Sequence, residues 1–437
     1  MSRKSSSRSS QQRYHPDVSL NLNVRGLGQS ATLAINQRSA ELRRQGRHIY
    51  KLGLGQSPFP VPDVVVEALR KHAPEKDYLP PSGLMELRQA VADYHSRQQG
   101  IEVRGEDALI GPGSKELMFI LQLVYYGDLV IPSPSWVSYA PQARIIGRRI
   151  HWLPTELGDD WGVQPEVIEK LFREDPERPR LVILNYPGNP SGGSYPIERL
   201  KALADLARKY RVILLSDEIY GELNHRGQHV SIARFYPEGT IISAGLSKWC
   251  GAGGWRLGTF TFPPSLSWLR EAMAAVASET YTSTSTPIQY AAVRAFKGGD
   301  EIDLFLAKSR RILGALGRSF AQQLRQAEVR VPEPRGGFYL FPDFGALREQ
   351  LAGRGIATSK ELAERLLEET GVAALPGSDF GRPQEELTLR LAYVDFDGAA
   401  ALKALPDDRP ARETEFLQTY CANTCAAAQA IVDWLNT

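Results

Sequence analysis

The feature that most constrains the fold is an alternation, between residues 105 and 262, of short apolar runs with longer segments of helical periodicity. Several runs are apolar without interruption, which is typical of strands covered on both faces of a sheet. The apolar runs are 108–110, 129–131, 150–153, 181–184, 212–215, 240–243 and 257–262. The helical segments are 115–126, 165–173 and 197–210. This alternation predicts an α/β domain with a large, doubly wound, mostly parallel sheet.

The flanks of this region differ from it, which predicts a second domain. A chain of 437 residues exceeds the size at which one core keeps growing. An amphipathic segment at 31–45 precedes the sheet region, and after residue 310 a long helix is followed by short strands near 338–341 and 387–391. We expect a large domain over 66–309 and a smaller α+β domain built from both chain ends, 19–65 and 310–437.

Composition narrows the classes of partner. The net charge of +2 does not favour a nucleic-acid or membrane-surface binder, and no apolar run approaches the ~20 residues that cross a bilayer. Three cysteines fit a reducing compartment, so a cytoplasmic location is expected. The basic, Ser-rich residues 1–18 are expected to form a disordered tail, with an organellar transit peptide as the alternative.

Four polar motifs follow predicted strands, where a parallel sheet binds its ligands. They are Gly111-Pro-Gly-Ser-Lys115, Asn185-Tyr-Pro-Gly-Asn-Pro-Ser-Gly192, Ser216-Asp-Glu-Ile-Tyr220 and Gly245-Leu-Ser-Lys248. The last of them is followed by Gly253-Gly-Trp-Arg-Leu-Gly258. Because the carboxyl ends of parallel strands share one edge, these motifs predict a single site.

In their order and spacing, these motifs resemble those of the class I/II aminotransferases of fold type I. The resemblance runs from about residue 30 to residue 398 and includes Leu52-Gly-Leu-Gly-Gln56 and Tyr78-Leu-Pro-Pro-Ser-Gly83. It implies that the large domain binds pyridoxal 5'-phosphate. It also implies ping-pong transamination between an L-amino acid and a 2-oxo acid.

The resemblance assigns the catalytic groups. Lys248 is expected to hold the cofactor as a Schiff base and to move the substrate Cα proton, which requires an amine that loses its proton near neutral pH. Asp217 is expected to pair with the pyridine nitrogen, which makes the ring a better electron acceptor. Tyr220 and Asn189 are expected to hydrogen-bond the phenolate oxygen, although Asn189 also fits a turn.

The cofactor phosphate needs donors and positive charge. Gly113, Ser114 and Lys115 open a predicted helix, whose free N–H groups favour an anion. Arg256 matches the family's phosphate-binding arginine. Many relatives carry Ser or Thr where this chain has Gly245. Ser247 is a candidate replacement, and Ser243 is the alternative.

Aromatic residues complete the expected cofactor site. Trp136 matches the family's ring-stacking aromatic residue, and its alternative assignment is a half-buried core tryptophan. Tyr78 matches a tyrosine that reaches the phosphate from the partner subunit. The resemblance therefore implies a homodimer.

For the substrate, Arg390 matches the arginine that binds the α-carboxylate, and it lies among strand-like apolar residues where a cation needs an anion. Asn189 and Gly55 are expected beside the same carboxylate. Dicarboxylate-specific relatives carry a second arginine in the region equivalent to 278–285, which here contains none. We therefore predict that the enzyme is not specialised for aspartate or glutamate.

Other functions remain as alternatives. A pyridoxal-phosphate-dependent lyase, decarboxylase or oxidase could use the same residues, since these enzymes differ in which substrate bond is aligned with the ring. A metabolite sensor lacks support because no DNA-binding module precedes the resemblance, and an inactive relative is disfavoured by the intact motifs. His225 and His229 lie in a polar loop, so no metal site is predicted.

Overall fold

The computed structural model describes residues 20–28, 31–406 and 413–437, without the side chains of residues 31–34. The predicted tail, residues 1–18, lies outside them. The strands are β1 (Tyr50–Lys51), β2 (Ala108–Gly111), β3 (Asp128–Ser133), β4 (Ile150–Pro154), β5 (Arg180–Asn185), β6 (Ile213–Asp217), β7 (Thr240–Gly245), β8 (Gly258–Thr261), β9 (Tyr339–Leu340), β10 (Val372–Ala373), β11 (Leu375–Pro376) and β12 (Leu389–Ala392).

In the described residues, a seven-stranded sheet has the strand order β2-β8-β7-β6-β5-β3-β4. Strand β8 is antiparallel to both neighbours, and the remaining pairs are parallel. The predicted fold class is therefore confirmed. Each of the seven predicted apolar runs contains or overlaps one strand of this sheet.

Helices cover both faces of the sheet and connect its strands. The helices are α1 (Ala31–Arg44), α2 (Asp63–His72), α3 (Met85–Gln99), α4 (Ser114–Val124), α5 (Tyr139–Ile145), α6 (Pro165–Glu174), α7 (Ile197–Lys209), α8 (Ser267–Thr280), α9 (Thr286–Lys297), α10 (Asp300–Gln326), α11 (Arg348–Gly353), α12 (Ser359–Thr370), α13 (Gly398–Ala404), α14 (Glu413–Tyr420) and α15 (Ala422–Leu435).

Each face of the sheet has its own core, because successive side chains of a strand point to opposite faces. Ile131 packs in a cluster with Leu117 and Met273 of helices α4 and α8. Its neighbour Val130 packs on the other face with Phe172 and Leu203 of helices α6 and α7. This burial on both faces explains why the strands read as unbroken apolar runs.

Two further sheets in the described residues are small, and one of them joins the two ends of the chain. Strand β1 pairs in parallel with β10, and β12 pairs with β11 and β9. Helix α10 runs without a break across the boundary predicted at 309/310. The division into a large and a small domain remains a prediction. None of the helices in the described ranges is long and apolar enough to cross a membrane.

Candidate active site

Strand register places three polar residues side by side at the carboxyl ends of β5, β6 and β7. Asn185 pairs with Asp217, and Asp217 pairs with Ser243. The hydroxyl of Tyr139 donates to Asp217 Oδ2 at 2.5 Å, and Ser243 Oγ donates to Oδ1 at 3.3 Å. Burial raises the pKa of Asp217 to about 6, although these donors act in the opposite direction. A positively charged partner would therefore stabilise the ionised form of this carboxyl group.

Lys248 follows β7 and reaches towards the small sheets. Its Nζ donates to the carbonyl oxygen of Gly55 at 2.8 Å and lies 5.6 Å from the ring centre of Tyr220. Burial, and then the positive charge of Arg390, lower the pKa of Lys248 to about 8. A substantial fraction of the amine is thus neutral near physiological pH, as nucleophilic attack on an aldehyde requires.

Arg390, on β12, is a buried cation that forms no ion pair with a carboxylate in the described part of the chain. Its side chain donates to Asn189 Oδ1 at 3.3 Å and to the carbonyl oxygen of Gly53 at 2.5 Å, while its Nε has no hydrogen-bond partner there. Asn189 is held by its backbone N–H, which donates to Asn185 Oδ1 at 2.7 Å. A buried guanidinium without an anionic partner can bind a small carboxylate.

Positive charge gathers at the amino end of helix α4. A Cβ added to Gly113 would lie 2.3 Å from Nη2 of Arg256, so this guanidinium rests directly against the start of the helix. The Arg256 side chain donates to the carbonyl oxygen of Gly253 at 2.9 Å. Burial, and then the charge of Arg256, lower the pKa of Lys115. Together with Ser114 at the first helical position, these groups can bind a phosphate.

Trp136 and Tyr78 have different surroundings. Trp136 is half-buried, lies 5.0 Å from Lys115 Nζ and packs edge-on against Tyr139. It therefore borders both the phosphate end and the Asp217 end of the site. Tyr78 is 87% exposed, and within the described ranges it makes no hydrogen bond. The structure does not bring Tyr78 to the other predicted site residues of its own chain.

The structure gives a physical reason for glycine at position 245. A Cβ there would lie 2.7 Å from the carbonyl oxygen of Leu257, so a serine would displace the β7–β8 pair. The hydroxyl of Ser243, one suggested replacement, already donates a hydrogen bond to Asp217. Ser247 is half-buried and without a hydrogen bond in the described residues, so it remains the candidate donor.

Two site residues were not singled out from the sequence. Tyr139 follows Trp136 by one helical turn, a spacing that could have drawn attention to it. Tyr339 lies in the predicted strand at 338–341, and its hydroxyl is 2.9 Å from that of Tyr220. In sequence these partners lie 78 and 119 residues away from Tyr139 and Tyr339, so periodicity alone does not reveal the contacts.

A cleft of about 1080 Å³ is lined by Lys115 and Val137 and extends to Leu375 of the small sheet. Among the candidate site residues described above, Lys115 is the one that lines it. No group of three or more metal-binding side chains occurs among the residues that the structure describes.

Comparison with known proteins assigns this fold to a family. The model of the family "Aminotransferase class I and II" matches residues 47–397. The aspartate aminotransferase of Geobacillus stearothermophilus is 33% identical over 388 residues, covering 85% of this chain and 93% of the relative. The aspartate/prephenate aminotransferase of Thermus thermophilus is 33% identical over 369 residues, covering 83% and 91%. The chain belongs to the class I and II aminotransferases, which are pyridoxal-phosphate-dependent enzymes of fold type I.

Solved structures agree with this assignment. The aspartate aminotransferase from Thermus thermophilus with maleate superposes with a TM-score of 0.81 at 30% identity, covering 95% of this chain and 99% of that one. The aspartate aminotransferase from Rhizobium meliloti shares the fold, with a TM-score of 0.80 at 24% identity.

The residues present fit pyridoxal phosphate. The cofactor is an aldehyde with a ring nitrogen and a phosphate, and this site offers an amine of lowered pKa, a buried carboxyl group and a cationic helix start. The raised pKa of Asp217 and the tight contact of Arg256 with Gly113 are the observations that support this fit. Lys248 would hold the aldehyde, Asp217 the ring nitrogen, and Arg256 with Ser114 the phosphate.

Proposed function

We propose that the protein transfers an amino group from an L-amino acid to a 2-oxo acid, with the cofactor held as a Schiff base on Lys248. The observation that carries this proposal is a half-buried lysine of lowered pKa close to Arg390, a buried cation that forms no ion pair within the described residues. An amine and an α-carboxylate site at one sheet edge are what an amino-acid substrate needs. When bound, the cofactor supplies an electron-withdrawing ring that makes the substrate Cα–H acidic.

The chain's own groups have distinct tasks in this scheme. Arg390 and Asn189 bind the α-carboxylate and fix the orientation of Cα, which lowers the entropic cost of reaction. Lys248 Nζ, when it is not bonded to the cofactor, would accept the proton from the substrate Cα and hold it as an ammonium group. Asp217 keeps the ring nitrogen protonated, and Tyr220 donates to the ring oxygen. Arg256 and Ser114 anchor the phosphate, so that the ring keeps its place during the exchange.

The amino donor has two candidate classes. The missing arginine at 278–285 favours a donor other than aspartate or glutamate. A dicarboxylic donor is the second candidate, because several relatives are named aspartate or aspartate/prephenate aminotransferases. Lys115 lines the cleft and forms no ion pair within the described residues, so its ammonium could bind a second carboxylate.

A panel of donors separates the two classes. If the donor is dicarboxylic, kcat/KM will be highest for aspartate or glutamate. Replacement Lys115→Gln will then lower kcat/KM for these donors more than for neutral ones. If the donor is neutral or aromatic, the replacement will change kcat/KM equally for all donors.

The reaction type is tested by a half-reaction without an oxo-acid acceptor. The holoenzyme should convert one equivalent of amino acid into the 2-oxo acid and one equivalent of cofactor into pyridoxamine phosphate. Release of ammonia, sulfide or carbon dioxide instead would favour a lyase, decarboxylase or oxidase.

We further propose that the enzyme works as a cytoplasmic homodimer in which Tyr78 crosses the interface. Two features support this. Tyr78 is 87% exposed in the single chain, and Cys250, Cys421 and Cys425 are all unpaired, as in a reducing compartment.

A further inference from the structure

Tyr339 is a buried side chain that contacts three parts of the candidate site. Its hydroxyl lies 2.9 Å from the hydroxyl of Tyr220. The guanidinium carbon of Arg390 lies 4.9 Å from the centre of its ring. A Cβ added to Gly55 would lie 1.8 Å from its hydroxyl oxygen, so this hydroxyl lies against the residue whose carbonyl accepts from Lys248.

The hydrogen-bonding capacity of the two phenols determines which of them donates the hydrogen bond between them. A tyrosine hydroxyl has one proton to donate and can also accept. If Tyr220 donates its proton to the ring oxygen of the cofactor, the hydrogen bond between the two tyrosines can only be donated by Tyr339. The positive charge of Arg390 next to Tyr339 polarises this O–H group, and successive hydrogen bonds strengthen one another in a buried site. Burial raises the pKa of both phenols, so both keep their protons at neutral pH.

The ring of Tyr339 has a second contact. A guanidinium over an aromatic face is attracted to it, and the attraction is stronger when both groups are desolvated. Arg390 is fully buried, and Phe380 lies at 5.1 Å from its guanidinium carbon. The two rings therefore restrict the guanidinium to one plane and leave its edge for the substrate carboxylate.

We propose that Tyr339 is a positioning residue that couples the two halves of the site: its hydroxyl directs Tyr220 towards the cofactor oxygen, and its ring orients Arg390 for the substrate carboxylate. This inference rests on the proposed function, because it assumes that the cofactor oxygen faces Tyr220.

The test separates the hydroxyl from the ring. In Tyr339→Phe the hydrogen bond is lost and the ring stays, so the pH midpoint of the absorbance change of the bound cofactor should move up by about 0.5 pH unit. The upward direction follows because an oxygen anion with weaker donors holds a proton more tightly. KM for the amino donor should stay within about twofold. In Tyr339→Leu the ring is lost as well, and KM should rise roughly tenfold or more.

Two controls make the result specific. Tyr393→Phe removes the hydroxyl of another buried tyrosine, which donates to the carbonyl oxygen of Gly337 at 3.4 Å, and should leave the midpoint unchanged. In a Tyr220→Phe background, Tyr339→Phe should add no further shift, because its effect passes through Tyr220.

The outcomes are distinguishable. A midpoint unchanged in Tyr339→Phe, or a shift that simply adds to that of Tyr220→Phe, would overturn the role of Tyr339. The absorbance readout requires cofactor binding but no turnover, so an enzyme that binds the cofactor without transaminating still tests Tyr339. A wild-type protein that shows no cofactor absorbance would overturn both proposals.

Discussion

At the residue scale, the environment of Lys248 combines burial with surrounding positive charge. Arg390, Arg256 and Lys115 each lower its pKa, and Asp217 acts to raise it. These cations are also the groups that would bind the carboxylate of the substrate and the phosphate of the cofactor. The groups that would bind these anions thus lower the pKa of the amine before any ligand is bound.

The first prediction concerns the pH dependence of this amine. Because its folded-state pKa is lowered to about 8, reaction of the apoprotein with pyridoxal phosphate should accelerate with rising pH, with a midpoint at about pH 8, and level off above it. Replacement Arg390→Gln removes a repelling charge, so the pKa of Lys248 rises and the midpoint moves up by roughly one pH unit. Rapid-mixing absorbance over a pH series measures it.

Arg256→Gln provides the matched comparison. Arg256 lowers the pKa of Lys248 less than Arg390 does, so its replacement should move the midpoint less. A midpoint that stays in place in Arg390→Gln would show that the arginine does not act on the amine.

The site residues that the sequence indicated are those that belong to a motif, and their roles remain predictions. Lys248, Asp217 and Arg256 stand in a fixed order after predicted strands, and the sequence alone indicated them. Tyr139 and Tyr339 were not indicated, since each acts through a partner distant in sequence. Their contacts arise from the strand register and from the packing of β9 against the sheet edge, which local patterns do not encode.

At the element scale, the amino end of helix α4 lies close to the sheet. Gly258 of β8 pairs with Gly111 on one side and Gly245 on the other, which forms a row of residues without side chains. A Cβ on Gly258 would lie 2.1 Å from the backbone nitrogen of Ser114. The row therefore allows the first turn of α4, which carries the predicted phosphate site, to pack directly against the strand ends.

The second prediction follows from this contact. Replacement Gly258→Ala should push the start of α4 outward, lower the free energy of unfolding by ~1–3 kcal/mol and weaken pyridoxal-phosphate binding. Gly254→Ala is the matched control, because a Cβ there meets nothing within 4 Å. Urea unfolding and cofactor titration measure both effects. Equal cofactor affinity in the two variants would refute the role of this contact.

The elements differ in how far the sequence predicts them. The seven central strands were predicted closely, because each is a buried apolar run bounded by polar motifs. The pairing of β1 with β10 joins Tyr50 to Val372, and no local pattern identifies such a partner. In the small sheets, β9 and β12 were predicted as strands, whereas β1, β10, β11 and all of the pairings were not.

At the scale of the whole molecule, the two chain ends share one core. A single cluster of buried side chains includes Leu52, Leu313, Leu391 and Ile431. This packing places Gly55 and Arg390, which come from opposite ends of the chain, beside Lys248. The candidate site thus depends on the complete fold, while the exposed Tyr78 lies apart from it.

The third prediction tests whether Tyr78 acts across a dimer. Tyr78→Ala and Lys248→Ala proteins should each be poorly active when pure. A hybrid dimer of one subunit of each kind regains one site with both groups intact if Tyr78 crosses the interface, so activity should recover to at most half. Mixing the two after reversible dissociation, with light scattering to establish the dimer, provides the measurement.

The hybrid has a built-in alternative outcome. If Tyr78 acted within its own subunit, each hybrid site would lack one group, and mixing would restore no activity. A monomeric protein at full activity would contradict the homodimer directly.

The most direct test of the whole account is to locate the cofactor on the chain. The holoenzyme is treated with borohydride, digested and analysed by peptide mass spectrometry. The account predicts a phosphopyridoxyl group on the peptide that contains Lys248, in about one equivalent per chain, and none in Lys248→Ala. Stable labelling of any other lysine in the wild-type protein, or of none, would contradict it.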